Sequence, residues 1–398
     1  MSTRSLRMSI SSPRDSKSRT VLLTLGRLPV ALELLRALKA SGWRVLVADP
    51  YAWHLCRLSN SVHRCFRVTV PATDKESYLA ELMQIVLRER VSLVLPVSEE
   101  TLYVSLLKSR LATSVKVLCM DHHTLMQLHD KFSFVKFAKE QGLPVPKTAL
   151  ADDTMSCNEI MSDSFVVKPR QSCSGAGVRF GSSGGVLDAS EASDKLVVQQ
   201  RLSGKSCCSF SVAVAGQTVI NVCYETLLEA GTVAICFEQV AMPRQIRTFV
   251  DTVVKATDYT GMIAFDFIQD DEATWRAIEC NPRATSGIHF VEQTNIVAAL
   301  INGEMLARVS GSERVFDRRQ EFWSCLMQVE GALFKGKINR QGWRHLFAAR
   351  DITLKMSDIK PFLFMTIVMA PQLLRSIKSG KPMSEILMND LTWQEQES

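Results

Sequence analysis

Apolar and polar positions along the first 120 residues fall into blocks that switch between two periods. The apolar run Val21–Leu25 is closed by Gly26, and Ala31, Leu32, Leu35 and Leu38 follow at helical spacing up to Gly42. Trp43–Ala48 reads as a second strand ending at Asp49. A strand, helix and strand in that order predict a parallel sheet. The pattern recurs with a helix over Lys75–Arg90, a strand Val91–Leu95, then Pro96 and the acidic pair Glu99–Glu100. A further strand at Val115–Cys119 completes a Rossmann-like domain. Its first turn, Gly26-Arg27-Leu28-Pro29, lacks the glycine spacing that cradles a pyrophosphate, so dinucleotide binding is not expected. Asp49 stands where a ribose-binding acid would lie, and is expected to be a solvated strand-end acid instead.

After Asp121 the texture changes. Lys131–Gln141 reads as a helix and Leu143–Pro146 as an extended linker. Strands follow at Phe165–Lys168, Val178–Phe180, Leu196–Gln200, Ser209–Val214 and Val219–Tyr224. Glycine turns at Gly175–Gly177 and Gly181–Gly185 suit antiparallel hairpins. A helix over Thr248–Tyr259 leads to two more strands, Met262–Gln269 and Trp275–Glu279. From Ser312 onward the pattern is mostly helical, with scattered basic residues and no motif. The expected order is a tail (1–19), a Rossmann-like α/β domain (20–120), an α+β domain (121–311) and a helical C-terminal region (312–398).

Composition narrows the class. With 398 residues, 46% hydrophobic and 22% charged, the chain has room for two or three cores and a cleft between them. The net charge of +6 suits an anionic small molecule as well as nucleic acid. Its Arg and Lys are dispersed without an aromatic–basic stripe, so no nucleic-acid partner is expected. Eleven cysteines are scattered without CxxC or HxxxH spacing, which predicts reduced thiols in a cytoplasmic protein. Only Cys173 stands apart, inside a glycine loop.

The first twenty residues are rich in Ser, Arg and Lys, as organellar transit segments are, but Pro13 interrupts any amphipathic helix and a disordered tail is expected. The uncharged run Pro361–Leu374 is shorter than the ~20 residues a spanning helix needs. It reads as a buried helix rather than a membrane contact.

Three segments carry chemistry. In the first, the strand Phe165–Lys168 ends in a lysine and passes through Ser172-Cys173-Ser174-Gly175-Ala176-Gly177 into the next strand. Small residues let backbone N–H groups approach phosphate oxygens, and the lysine adds a point charge. Alone, such a loop is equally a plain glycine hairpin. In the second, Asp266 and Glu279 stand thirteen positions apart on successive strands, with Asn281 and Arg283 following. A hairpin of that length brings the two carboxylates side by side, where a cation would relieve their repulsion. Oxygen donors from Asp266, Glu279 and Asn281 suit Mg²⁺, and Arg283 would offset charge on a transferring phosphoryl group or oxyanion. In the third, Gln199-Gln200-Arg201-Leu202 runs from a strand into a turn, which offers backbone groups for a planar base.

In this order of lysines, glycine loop, hinge, Asp266 and Glu279-x-Asn281-Pro282-Arg283, residues 20–310 resemble the ATP-grasp superfamily. That superfamily includes biotin carboxylase, carbamoyl-phosphate synthetase and many carboxylate–amine ligases. The resemblance implies a Rossmann-like pre-ATP-grasp domain, then an ATP-grasp fold whose two α+β subdomains clasp ATP. It implies that Lys131 and Lys168 contact ATP phosphates and that Ser174, Gly175 and Gly177 form the phosphate loop. Gln199, Gln200, Arg201 and Leu202, with Ile278, would hold the adenosine. Asp266, Glu279 and Asn281 would bind Mg²⁺, for which Mn²⁺ can substitute, and Arg283 would steady an acyl phosphate.

There are departures. Asp266 stands where many members have Glu, and Gln200 and Ser206 lie near hinge positions that are often acidic. The run Asn281–His289 resembles a branch of these ligases that includes the one making mycosporine-glycine. His289 would touch substrate or act as a base, the other reading being a satisfied loop histidine. Arg244 and Arg247, in the loop expected after Val240, would bind a substrate carboxylate together with Ser286. The implied reaction activates a carboxylate, or a related enol or acid, as an acyl phosphate and joins it to an amine, releasing ADP and phosphate. Its rival is an ATP-binding regulatory module without catalysis. The expected partners are a small acid and an amine, and the role of Ser312–Ser398 is open between capping the site, forming a homodimer face and touching a membrane.

Overall fold

The computed structural model describes residues 19–394 apart from 174, 186, 188–191, 231–232, 303–308, 311–316 and 335–339. The first sheet is built from β1 (Thr20–Leu23), β2 (Arg44–Asp49), β3 (Arg64–Arg67), β4 (Leu93–Leu95) and β5 (Lys116–Val117), all parallel in the order β3-β2-β1-β4-β5. Strand β1 is buried throughout, as expected when both faces of a parallel sheet are covered. On one face lies α1 (Pro29–Ala40), which starts with proline at its first turn and buries Ala31, Leu32, Leu35 and Leu38. On the other lies α2 (Lys75–Arg88), capped by the Asp74 carboxylate accepting from the Ser77 N–H. The short α3 (Thr101–Val104) and α4 (His122–His129) follow.

The crevice at the carboxyl end of this sheet, where dinucleotides bind in related folds, is filled by the protein itself. Asp49 is fully buried rather than solvated: it accepts from the Gly26 N–H at 2.9 Å and pairs with Arg27 at 2.8 Å. Arg27 also holds Asp390 at 2.8 Å, just beyond α12 (Met383–Met388), the last helix. The Trp393 ring lies 4.7 Å from that of Tyr103. The C-terminal segment therefore crosses the top of the first sheet.

A second, antiparallel sheet has the order β6-β9-β7-β8, from β6 (Thr148–Leu150), β7 (Phe165–Pro169), β8 (Arg179–Gly181) and β9 (Leu196–Gln200). Phe165, Val167 and Val198 face α6 (Thr154–Met161), which leaves Val166 and Lys168 on the opposite face. The large third sheet runs β14-β13-β10-β11-β12-β16-β17, with β15 (Val309–Ser310) beside β11. Its strands are β10 (Ser206–Val214), β11 (Gln217–Ala230), β12 (Val233–Val240), β13 (Gly261–Gln269), β14 (Trp275–Asn281), β16 (Arg318–Gln320) and β17 (Arg350–Asp351). One face packs Phe265, Phe267, Ala277 and Cys280 against α5 (Lys131–Glu140) and α7 (Arg244–Ala256). The other packs Phe210, Val222 and Tyr224 towards α1 and α8 (Gln293–Asn302).

Three sequence expectations need correction. Helix α7 begins at Arg244, so Arg244 and Arg247 are helical residues and not part of a loop. Asp49 is an interior ion-pair acid. The run Pro361–Leu374 lies in α11 (Lys360–Ser379), which follows α9 (Phe322–Phe334) and α10 (Arg340–Ala348), and it is not buried all round. Leu363, Phe364, Ile367 and Leu374 are exposed, because only the side carrying Pro361, Met365, Val368 and Gln372 meets the rest of the fold. No helix among the described residues is long and apolar enough to cross a membrane.

Candidate active site

A cavity of about 260 Å³ opens between the second sheet and the β13–β14 hairpin. Lys168, Val166, Phe180, Gln199 and Leu202 line one side, and Lys131, Ile268, Ile278 and Glu279 line the other, with Ser172, Gly175 and Val178 from the glycine loop. The structure thus gathers Lys131, Lys168, Gly175, Gln199, Gln200, Arg201, Leu202, Ile278 and Glu279 around one space. Ser174 lies outside the described residues. Gly175 and Gly177 have φ of 67° and 72°, a left-handed backbone that favours glycine, so the loop is shaped by these residues. Gly177 itself is not among the cavity-lining residues.

The acids are set by strand register. Asp266 pairs directly with Glu279 across β13 and β14, and with Cys208 on the other side. Because Phe265 and Phe267 point into the α5–α7 core, Asp266 points to the opposite face. Strict alternation would send Ile278 and Glu279 to opposite faces. A register shift after Asp266 leaves Ile278 as an extra residue, since Phe267 pairs with Ala277. This bulge lets both neighbours face the cavity.

Lys131 opens α5 behind the Asp130 cap, which accepts from the Ser133 N–H and pairs with Arg170. Its Nζ donates to the Ser172 carbonyl at 2.8 Å and lies 3.9 Å from Glu279 Oε2. Lys168 Nζ donates to Gln199 Oε1 at 2.8 Å, and Gln199 Nε2 donates to Thr148. The hinge glutamine is thereby tied to the lysine. Gln200 instead accepts from the Lys147 N–H at 3.4 Å.

Burial raises Asp266 and neighbouring Glu279 raises it further, to about 7. Burial also opposes ionisation of Glu279, but Lys131, Asp266, Lys168 and Arg283 outweigh it and hold that carboxyl down to about 2. Burial, aided by Lys131 and opposed by Glu279, brings Lys168 down to about 8. Two carboxylates with only oxygen donors, crowded until one of them resists ionisation, fit a hard divalent cation. The Asn281 side chain stands beside them, its Nδ2 donating to Asp266 Oδ2 at 3.2 Å and its Oδ1 accepting from Arg283 at 3.0 Å. Among the described residues no group of three or more His, Cys, Asp or Glu is arranged to hold a metal.

Arg283 brings in a residue to which the sequence alone assigns no role. Its Nε donates to Glu99, from the turn after β4, and Ala284 N–H donates to the Val97 carbonyl of the same turn. Glu99 is sealed from solvent and also lies 3.7 Å from His129. Its signal in the sequence was an acidic pair just after a buried strand.

Other expected residues lie elsewhere. His289 is buried in the 3-10 turn Ser286–Phe290, 3.3 Å from Glu33 on α1, with its ring 6.4 Å from that of Phe237. It does not line the cavity, and its Nε2 is buried without a hydrogen-bond partner among the described residues. Ser286 opens the same turn and does not line the cavity. Arg244 and Arg247 sit on α7, whose apolar side packs on Phe265 and Phe267, the sheet face opposite Asp266. Neither arginine lines the cavity.

Residues 128–287 match the ATP-grasp domain family. The chain carries an ATP-grasp domain. No curated protein sequence matches the chain. Among solved structures, the biotin carboxylase domain of Hydrogenobacter thermophilus 2-oxoglutarate carboxylase, determined with MgADP and bicarbonate, is similar at a TM-score of 0.59 and 14% identity, over 75% of this chain and 72% of that one. Staphylococcus aureus N5-carboxyaminoimidazole synthetase gives 0.58 and 15%, over 73% and 79%. Campylobacter jejuni biotin carboxylase, in complex with β-γ-ATP, gives 0.60 and 15%, over 75% and 74%. At these identities the likeness is one of fold, and it reaches beyond the ATP-grasp domain into the parallel sheet that precedes it.

Proposed function

We propose that the chain is an ATP- and Mg²⁺-dependent ligase that activates a carboxylate as an acyl phosphate and joins it to an amine, releasing ADP and phosphate. One observation carries the reading: the paired acids Asp266 and Glu279 on one face of a hairpin, beside a cavity that also holds Lys131 and Lys168. Two cations at one end of a cavity and two carboxylates beside them suit a polyphosphate and its metal. The apolar walls, Val166, Phe180, Leu202 and Ile278, suit a planar base. Fold relatives determined with MgADP, ADP or an ATP analogue support the assignment.

In this reading Lys131 and Lys168 hold phosphate oxygens, and the backbone of the Gly175–Gly177 loop closes over them. Asp266 and Glu279 would hold Mg²⁺, with Asn281 beside them. When bound, the metal offsets phosphate charge and so favours attack by a carboxylate oxygen. A carboxylate is a poor electrophile, and phosphorylation gives its carbon a good leaving group. Arg283, held by Glu99 and Asn281, would offset charge on the acyl phosphate as the amine displaces phosphate. Exclusion of water protects that intermediate from hydrolysis.

The test is ADP release by the purified full chain with Mg²⁺, pairing candidate acids with amino acids and other amines. Release that needs both co-substrates, and that falls by about tenfold or more in Glu279→Gln while the fold is kept, is the expected result. Undiminished release in that variant overturns the metal assignment. Nucleotide binding without turnover across the whole panel leaves a binding module in place of a ligase.

A further inference from the structure

Helix α11 has two unlike sides. Met365, Val368 and Gln372 turn inward, whereas Leu363, Ile367, Leu374 and Ile377 are 49%, 66%, 57% and 70% exposed. Their spacing puts them in one outward stripe, widened by Phe364 at 44%. From Leu363 to Ile377 the stripe spans fourteen residue steps, about 21 Å at 1.5 Å per residue. A continuous apolar strip of this length on a surface marks a contact site.

Charge says what kind of contact. Between Asp358 and Glu385 the chain has no acid, but it has Lys360, Arg375, Lys378 and Lys381, all exposed. Asp358 is buried against Arg36, and Glu385 is paired with Lys381. The N-terminal segment has Arg4, Arg7, Arg14 and Lys17 against Asp15 alone, so its own tail has the wrong sign to cover the stripe. A second copy would bring another basic stripe against the first. An anionic bilayer surface offers an apolar layer and negative charge together.

We propose that α11 is a membrane-surface helix that lays this stripe into the headgroup–acyl boundary of an anionic bilayer, in the plane and without crossing it. The domain bearing the active site would then work at a lipid surface. The inference is independent of the reaction proposed above, because it rests on a different face of the molecule.

The test is co-sedimentation of the full chain with phosphatidylcholine vesicles, with and without phosphatidylserine, at low and high salt. Binding to the anionic vesicles, weakened by salt, is expected. Ile367→Asp with Leu374→Asp should reduce the bound fraction by about tenfold or more with the thermal melt unchanged, since both side chains are already in water. Arg375→Glu with Lys378→Glu should remove the preference for anionic lipid. Absence of binding, or equal binding by the aspartate variant, overturns the proposal. So does light scattering that shows a dimer dissolved by the same substitutions while vesicles bind nothing, for α11 is then a subunit interface.

Discussion

A contact that ties the parallel sheet to the end of the β13–β14 hairpin is the Arg283–Glu99 ion pair, and its removal has a calculable cost. The two side chains are 15% and 1% exposed, so this is an interior pair and not a surface bridge. Truncation by Glu99→Ala removes the acid paired with a buried guanidinium, a loss of ~3–5 kcal/mol. Arg283 keeps two other acceptors, Asn281 Oδ1 at 3.0 Å and the Ala284 carbonyl at 3.2 Å, which places the cost at the lower end. At ~2.1 cal/mol/K of unfolding entropy per residue, ~3 kcal/mol lowers Tm by about 4 °C if the whole chain melts as one unit.

The double variant Glu99→Ala with Arg283→Met removes both charges, and its loss should fall short of the summed single losses by ~2 kcal/mol. Burial opposes ionisation of Glu99, but Arg283 and His129 hold its pKa below the ordinary value of 4.5. Its stabilisation is therefore present above pH 4.5 and lost as pH falls through the lower folded value, so the gap between wild type and Glu99→Ala should close on acidification. Thermal melts of the four proteins between neutral and acidic pH measure both effects. Single losses that simply add, to within ~0.5 kcal/mol, would refute the coupling.

Three other outcomes are expected. Lys168 is held to about 8, so its charge is lost as pH rises through that value; ATP affinity, followed by fluorescent-nucleotide titration, should fall above about pH 8 in wild type and hold in Lys168→Arg. A Cβ on Gly287 would stand 2.3 Å from the Phe210 Cβ, so Gly287→Ala should cost ~1–3 kcal/mol, read as a lowered urea midpoint. Arg27→Met strips the buried Asp49 and the partly buried Asp390 of their shared partner. It should cost ~3–5 kcal/mol and free the C-terminal segment for limited proteolysis, whereas an unchanged cleavage pattern would mean that other contacts anchor it.

The parallel sheet was legible because buried strands and amphipathic helices differ in period, and the Asp266–Glu279 pair because a hairpin of known length fixes which residues meet. What escaped the sequence depended on which side of an element faces which neighbour. Strand β3 is a short edge strand, Arg-Cys-Phe-Arg, with no buried run to announce it. The sequence suggests a loop at Arg244 and Arg247, whereas both lie on α7, which packs on the sheet face opposite Asp266. His289 and Glu99 show the limit in both directions. A histidine shortly after the Asn-Pro-Arg run meets Glu33 on α1 through Nδ1, while Glu99 from the turn after β4 supports Arg283. Ile278 and Glu279 face one cavity only because a bulge breaks the alternation that would separate them. A residue pattern gives chemistry and period, but a one-residue shift in pairing decides which of two adjacent side chains meets a substrate, and no composition encodes that shift.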